Sequence, residues 1–196
     1  LVKTDSSKEF CNVCGMHLTK FYKTSHATEF KNGHKEQYCS LHCQAQIEED
    51  HADKIKNIQV VDTNSLKFID AKNAIYVVGS SKPGTMTPVS KYAFSTKEEA
   101  VKFQKEFGGE IHTFDESLDM AKKALIKENN AIDEKRVPMA IKGKKAFETM
   151  CDTKQTKDFN SVGEAKQYLI DNNVCKNLNP QMMQAVAIYL YNPALA

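Results

Sequence analysis

The chain has 196 residues, with 27 Lys and Arg against 25 Asp and Glu and a formal net charge of +2. Hydrophobic residues at 41% and charged residues at 27% are ordinary for a globular chain of one large domain or two to three small ones. The lysines are spread along the chain, which excludes the footprint of a nucleic-acid binder, and no run of about twenty apolar residues reaches across a bilayer.

The sequence begins Leu1-Val2-Lys3-Thr4-Asp5, with neither an initiator Met nor the apolar core of a signal peptide. That fits a mature protein trimmed of its targeting segment, and it fits a cytosolic fragment equally well. A first segment, residues 1–58, places Cys11-Asn12-Val13-Cys14-Gly15-Met16 after a polar lead. Asn32-Gly33, between Ser25–Phe30 and Lys35–Tyr38, predicts a β-hairpin. Cys39 to about Asp53 predicts a helix with Ser40 as its N-cap.

The second segment, residues 59–126, predicts a strand at Ile75-Tyr76-Val77-Val78, a loop carrying Pro83, Gly84, Met86 and Pro88, and a returning strand at Tyr92–Phe94. Thr96 and Glu99 form a capping box for a helix ending at Phe107; Ala100, Phe103 and Phe107 share its apolar face and Gly108-Gly109 stops it. Glu110–Phe114 predicts one more strand, followed by a helix carrying Leu118, Ala121 and Leu125. Both segments read as small α+β units of ββα type, in the order a diverged duplication would give.

Residues 127–138 are polar, end in Val137-Pro138 and read as a linker. The final segment, residues 139–196, reads as a small all-α domain. Lys142–Met150 is its first helix, Ser161 with Glu164 opens the second, and Asn179 caps a third with Pro180 at its first position. Met183, Val186, Ala187 and Leu190 form the apolar face of that last helix.

Four of the six cysteines form two close pairs, Cys11 with Cys14 and Cys39 with Cys43. Close pairs are typical of metal sites, whereas an extracellular disulfide framework scatters its cysteines through loops. Two thiolates from a tight knuckle and two from the start of a helix close a tetrahedron around one ion. The second spacing is expected to put both sulfurs on one helical face. Thiolates select Zn(II), Cu(I) or iron–sulfur clusters over harder ions. A Cys11–Cys14 disulfide and a redox dithiol stand beside the metal reading, the dithiol lacking the helix start expected directly after it.

Met16 and Met86 add thioether sulfur, a poor ligand for zinc and a good one for Cu(I). Their bland alternatives are a core residue and a loop residue. Of His17, His26, His34 and His42, the last lies inside the second cysteine pair and is the best imidazole candidate.

Cys14-Gly15-Met16 and the hairpin, then Ala74-Ile75-Tyr76-Val77-Val78-Gly79-Ser80, Met86, Ala93-Phe94-Ser95 and the helix ending at Gly108-Gly109, together resemble the NosL family over roughly residues 9–122. These are accessory proteins of nitrous oxide reductase maturation. The resemblance implies a Cu(I)-binding metallochaperone with Cys14 and Met86 at copper positions and Met16 in the same motif. It implies a copper-accepting maturation protein or nitrous oxide reductase as partner. It also implies a periplasmic location, or membrane anchoring that faces the periplasm, with a lipid anchor on the untrimmed precursor. Cys11, Cys39 and Cys43 depart from the commonest family pattern, and Gln37-Tyr38-Cys39-Ser40-Leu41-His42-Cys43 resembles the second half of a TRASH or YHS domain. Two arrangements are therefore open: a structural Zn(II) in the four cysteines with Cu(I) elsewhere, or all four serving copper.

The last segment resembles a class I cytochrome c that has lost its haem, on Gly143–Cys151 and Ala185–Leu190. Haem attachment needs Cys-x-x-Cys-His, and the matching stretch is Cys151-Asp152-Thr153-Lys154-Gln155, so covalent haem is expected to be absent. Cys151 and Cys175 then either pair as a disulfide or stay as buried thiols. Paired carboxylates, a serine triad and a phosphate-binding glycine loop do not occur at workable spacing, and no enzyme is expected. The function classes carried forward are a copper chaperone, a zinc-stabilised TRASH-like interaction module or metal sensor, and a thiol oxidoreductase.

Overall fold

The computed structural model describes residues 6–154 and 157–196. The expectations placed on Leu1–Asp5 and on Gln155 lie outside the described residues. The described chain divides into two compact units, Leu18–Ile126 and residues 6–17 with Lys127–Ala196.

The first unit holds two antiparallel sheets. β1 (His26–Phe30) and β2 (Lys35–Tyr38) form the expected hairpin, with His26 opposite Tyr38 and Glu29 opposite Lys35. Gly33 takes φ +84° in the turn, a conformation a side chain disfavours. β3 (Ile55–Val61) pairs with β1, and β4 (Phe68–Asp70) pairs with β3, giving the order β2-β1-β3-β4. β5 (Ile75–Val78) lies between β6 (Lys91–Phe94) and β7 (Glu110–Thr113) in the second sheet.

Two helices of this unit follow their sequence signals. α1 (Leu41–His51) is capped by Ser40, whose side chain accepts the Cys43 N–H. α2 (Lys97–Phe107) starts at Thr96, whose side chain accepts the Glu99 N–H, and stops at Gly108 with φ +72°. The continuous apolar run in β5 is explained by its two faces. Tyr76 joins a core with Leu41, Val60, Phe114, Leu118 and Leu125, while Val77 packs into a smaller cluster with Phe94 and Ala100. A strand covered on both faces carries no alternation.

The second unit packs around Phe147, Phe159, Val162, Leu169, Val186 and Ile188. α4 (Val162–Asp171) and α5 (Pro180–Tyr191) begin at their predicted caps, Ser161 accepting the Glu164 N–H and Asn179 the Met182 N–H. Cys151 and Cys175 form a disulfide, flanked by Asp152 N–H donating to the Val174 carbonyl at 2.8 Å and Lys176 N–H to the Met150 carbonyl at 2.9 Å. A Cβ on Gly143 would sit 2.1 Å from the Ala185 carbonyl oxygen, so the backbone approach there requires glycine.

Two organisational expectations need correction. Residues 127–138 form no linker; they belong to α3 (Phe114–Met150). Their Lys, Glu, Ala and Arg residues are good helix formers, and Arg136 lies 3.5 Å from Asp133 one turn away. Pro138 sits inside the helix and costs it one backbone hydrogen bond without ending it. The boundary at 58/59 also falls within β3, whose pairing with β1 on one side and β4 on the other makes residues 18–126 one unit instead of two ββα units.

Candidate metal centre

Cys11 to Met16 fold into a knuckle closed by its own backbone. Cys11 N–H donates to the Met16 carbonyl at 2.8 Å and Gly15 N–H to the Cys11 carbonyl at 2.9 Å. Gly15 has φ +74°, which lets the chain reverse directly after Cys14. Helices α4 and α5 hold this knuckle. A Cβ on Gly163 would meet the Cys11 carbonyl oxygen at 2.4 Å, and Ser161 Oγ donates to Asn12 Oδ1 at 3.2 Å. Gln184 Nε2 donates to the Cys14 carbonyl at 2.9 Å, and Lys166 Nζ donates to the Gly15 carbonyl at 3.2 Å.

The other pair stands at the junction of β2 and α1. Cys39 precedes the Ser40 cap, where the backbone is extended (φ −158°, ψ 165°), and Cys43 lies in the first helical turn. The expected shared helical face is therefore not how this pair meets: the cap folds Cys39 back, and the two Sγ atoms lie 3.8 Å apart. A tetrahedral site with metal–sulfur bonds of about 2.3 Å has a sulfur–sulfur edge of about 3.8 Å.

The Cys39 turn is held by a buried polar chain. Thr24 Oγ1 donates to the Cys39 carbonyl at 2.7 Å and lies 2.8 Å from Thr85 Oγ1. His26 Nδ1 donates to the Thr24 carbonyl at 3.0 Å, so in the neutral ring Nε2 accepts from Tyr76 Oη at 2.9 Å. Burial, joined by the charge of Lys91 and opposed by the Thr24 bond, lowers the His26 pKa to about 4. Burial likewise holds the Tyr76 phenol well above its ordinary pKa. His26 is a neutral core residue and no imidazole ligand.

All four sulfurs of Cys11, Cys14, Cys39 and Cys43 lie within 4.8 Å of one another, and all four residues are buried. Each pair is buried by the elements that position it. Such a set of sulfurs can hold one soft metal ion. A Cys11–Cys14 disulfide is not formed among the described residues, whereas Cys151 and Cys175 are paired. Met16 is half-buried at the end of the knuckle, and its carbonyl serves the Cys11 N–H. Met86 is half-buried at φ +68°, beside Thr85, in the loop between β5 and β6. His42 is buried in α1, His17 lies 3.5 Å from Glu9, and His34 lies 3.2 Å from Glu36.

The NosL family model matches residues 3–121, more than half of the chain. The chain belongs to the NosL family. Two further proteins are similar to it. The HTH-type transcriptional repressor CutR of Bacillus subtilis (strain 168) is 25% identical over 118 residues, 60% of this chain and 61% of the repressor. The copper chaperone NosL from Shewanella denitrificans has a crystal structure that matches with a TM-score of 0.49 and 25% identity, covering 59% of this chain and 94% of that one. The NosL match ends before most of the second unit, so Lys166, Gln184 and Gly163 come from outside it.

These supports are what sequence reasoning missed. Lys166 and Gln184 lie 151 and 170 residues from the backbone atoms they hold, and no local pattern marks them. Burial lowers the Lys166 pKa to about 8, partly offset by its proximity to Cys14.

Proposed function

We propose that this chain is a Cu(I)-binding metallochaperone that carries copper to a maturation protein or to nitrous oxide reductase. The observation that carries the reading is the buried cluster of Cys11, Cys14, Cys39 and Cys43, whose thiolates favour a soft ion. Membership of the NosL family supports copper as that ion. The half-buried Met16 and Met86 offer thioethers that Cu(I) accepts and Zn(II) does not favour.

As cargo, the ion is exchanged between ligands without net redox change. Release needs local opening of one thiolate pair, after which an acceptor sulfur replaces the departing one. Nothing in this requires the chain to act as an enzyme. The Cys151–Cys175 disulfide supports an oxidising location, the periplasm or a membrane face toward it. That disulfide also occupies the one sulfur a haem-attachment stretch at Cys151 would use, which supports a second unit without covalent haem.

The similarity to a repressor favours one second reading, a metal-sensing or interaction module with Zn(II) in the same cysteines. The chain spans about 61% of that repressor. Anaerobic titration with Cu(I) against bicinchoninate, beside Zn(II) against a chromophoric chelator, separates the two. The chaperone reading expects tight Cu(I) binding that falls more than about a hundredfold in Cys14→Ser, beyond the effect of an outer-shell change. It also expects a smaller fall in Met86→Ala. Binding of Zn(II) with no competitive Cu(I) binding overturns it.

A further inference from the structure

We infer that Lys166, in the unit beyond the NosL match, is a positioning and counter-charge residue that biases the cysteine centre toward Cu(I) over Zn(II). The inference rests on the metal-binding reading of the cysteine cluster.

The first observation is a buried cation without an anion. Lys166 is 8% exposed, and among the described residues no carboxylate pairs with it. Its Nζ donates to the Gly15 carbonyl at 3.2 Å and to Gln184 Oε1 at 2.9 Å, and it lies 4.5 Å from the centroid of the Phe10 ring. The nearest acidic residue on its own helix, Glu164, is engaged by Lys157 at 2.9 Å and by the Asn160 N–H at 2.9 Å. Neutral oxygens and a ring face solvate an ammonium only in part. Burying one without an opposite charge is costly, and such groups are retained where they meet an anion.

The second observation is where this cation points. Its acceptor is Gly15, the residue after Cys14. Gln184 bridges the same two groups, accepting from Lys166 through Oε1 and donating to the Cys14 carbonyl through Nε2. Gly163, one turn before Lys166, brings α4 against the Cys11 carbonyl oxygen. The helix is therefore seated on the knuckle, and its one buried cation is directed at the loop that carries Cys14. The missing anion is the thiolate centre.

Charge counting then gives a selectivity. Protonated thiols are neutral, whereas a loaded centre keeps the charge of its thiolates less that of the ion. For any given number of thiolates, the Cu(I) form is one unit more negative than the Zn(II) form. A fixed cation beside the centre therefore stabilises the Cu(I) form more than the Zn(II) form. Outer groups of this kind change metal affinity by about 10- to 100-fold. A purely structural role for Lys166, holding the knuckle in shape, would affect both ions alike.

The experiment compares the full chain with Lys166→Met, Lys166→Gln and Lys166→Arg. Cu(I) affinity is read by bicinchoninate competition and Zn(II) affinity by a chromophoric zinc chelator. Met removes charge and hydrogen bonds, Gln keeps a donor for the Gly15 carbonyl without charge, and Arg keeps the charge. The expected result is a fall of about tenfold or more in Cu(I) affinity for both neutral variants, a smaller fall for Zn(II), and recovery of the Cu(I)-to-Zn(II) ratio in Lys166→Arg. An unchanged ratio in Lys166→Gln overturns the inference, whether the two affinities fall together or stay as they were. If the Met variant does not fold, the Gln and Arg pair decides alone. A wild-type chain that binds neither ion removes the metal reading itself, an outcome distinct from wild-type binding with an unaltered ratio.

Discussion

The two cysteine pairs reach the same small volume by different physical routes. Cys39 and Cys43 are positioned locally: a strand end, a serine cap and one helical turn bring their sulfurs to 3.8 Å, and a buried Thr24–His26–Tyr76 chain anchors the turn from the sheet behind it. Cys11 and Cys14 sit in a short knuckle with two internal backbone bonds and little core of its own. Their order comes from α4 and α5, which lie more than 140 residues later. A pair built from neighbouring residues tolerates damage far away, whereas a pair clamped by remote helices depends on everything that holds those helices together.

The largest expected effect breaks the remote clamp. The Cys151–Cys175 bond closes a sequence separation of 24, and losing such a constraint costs about 3 kcal/mol. In the metal-free Cys151→Ser/Cys175→Ser variant, alkylation mapped by mass spectrometry should label Cys11 and Cys14 at lower urea than Cys39 and Cys43. Equal labelling of the two pairs would show that the second unit does not hold the knuckle.

A comparable effect, aimed at the local pair, comes from acid. His26 has a pKa of about 4 when folded and 6.5 in the open chain, so the unfolded chain takes up the proton first. The stability this neutral ring supplies is complete above pH 6.5 and is lost as pH falls toward 4, by about 3 kcal/mol in all. Urea midpoints measured by circular dichroism at pH 7 and pH 4.5 should fall for wild type and move less for His26→Gln. A parallel fall in both proteins would assign the acid sensitivity elsewhere.

The smallest effect sharpens the contrast. Ser40→Ala removes the acceptor for the Cys43 N–H and should cost about 1 kcal/mol. Exposure of Cys39 and Cys43 to alkylation should rise while Cys11 and Cys14 keep their protection. Enhanced labelling of all four would argue that one cap supports the whole cluster.

Local signals are legible in the order of residues alone. Asn32-Gly33, Ser40, the Thr96–Glu99 box, Ser161 and Asn179 each mark a turn or helix start through a backbone group that needs a partner within a few residues, and each is where the chain turns or caps. The cysteine spacing likewise points to one cluster. What spacing misjudges is the joint between segments. A polar stretch ending in Val137-Pro138 has the composition of a linker and equally that of a solvated helix, and the chain runs through it as helix.

By itself, then, the sequence determined the thiol chemistry, the caps and turns, and the kinship to the NosL family, because these depend on residue type and on neighbours a few positions away. Tertiary structure alone decided that four sulfurs lie within 4.8 Å and that Lys166 and Gln184 grip the Cys14 knuckle. Those facts depend on contacts between residues far apart in the chain. Such contacts form only when the burial of whole helices and sheets offsets the entropy of bringing distant residues together, a sum that no local pattern records.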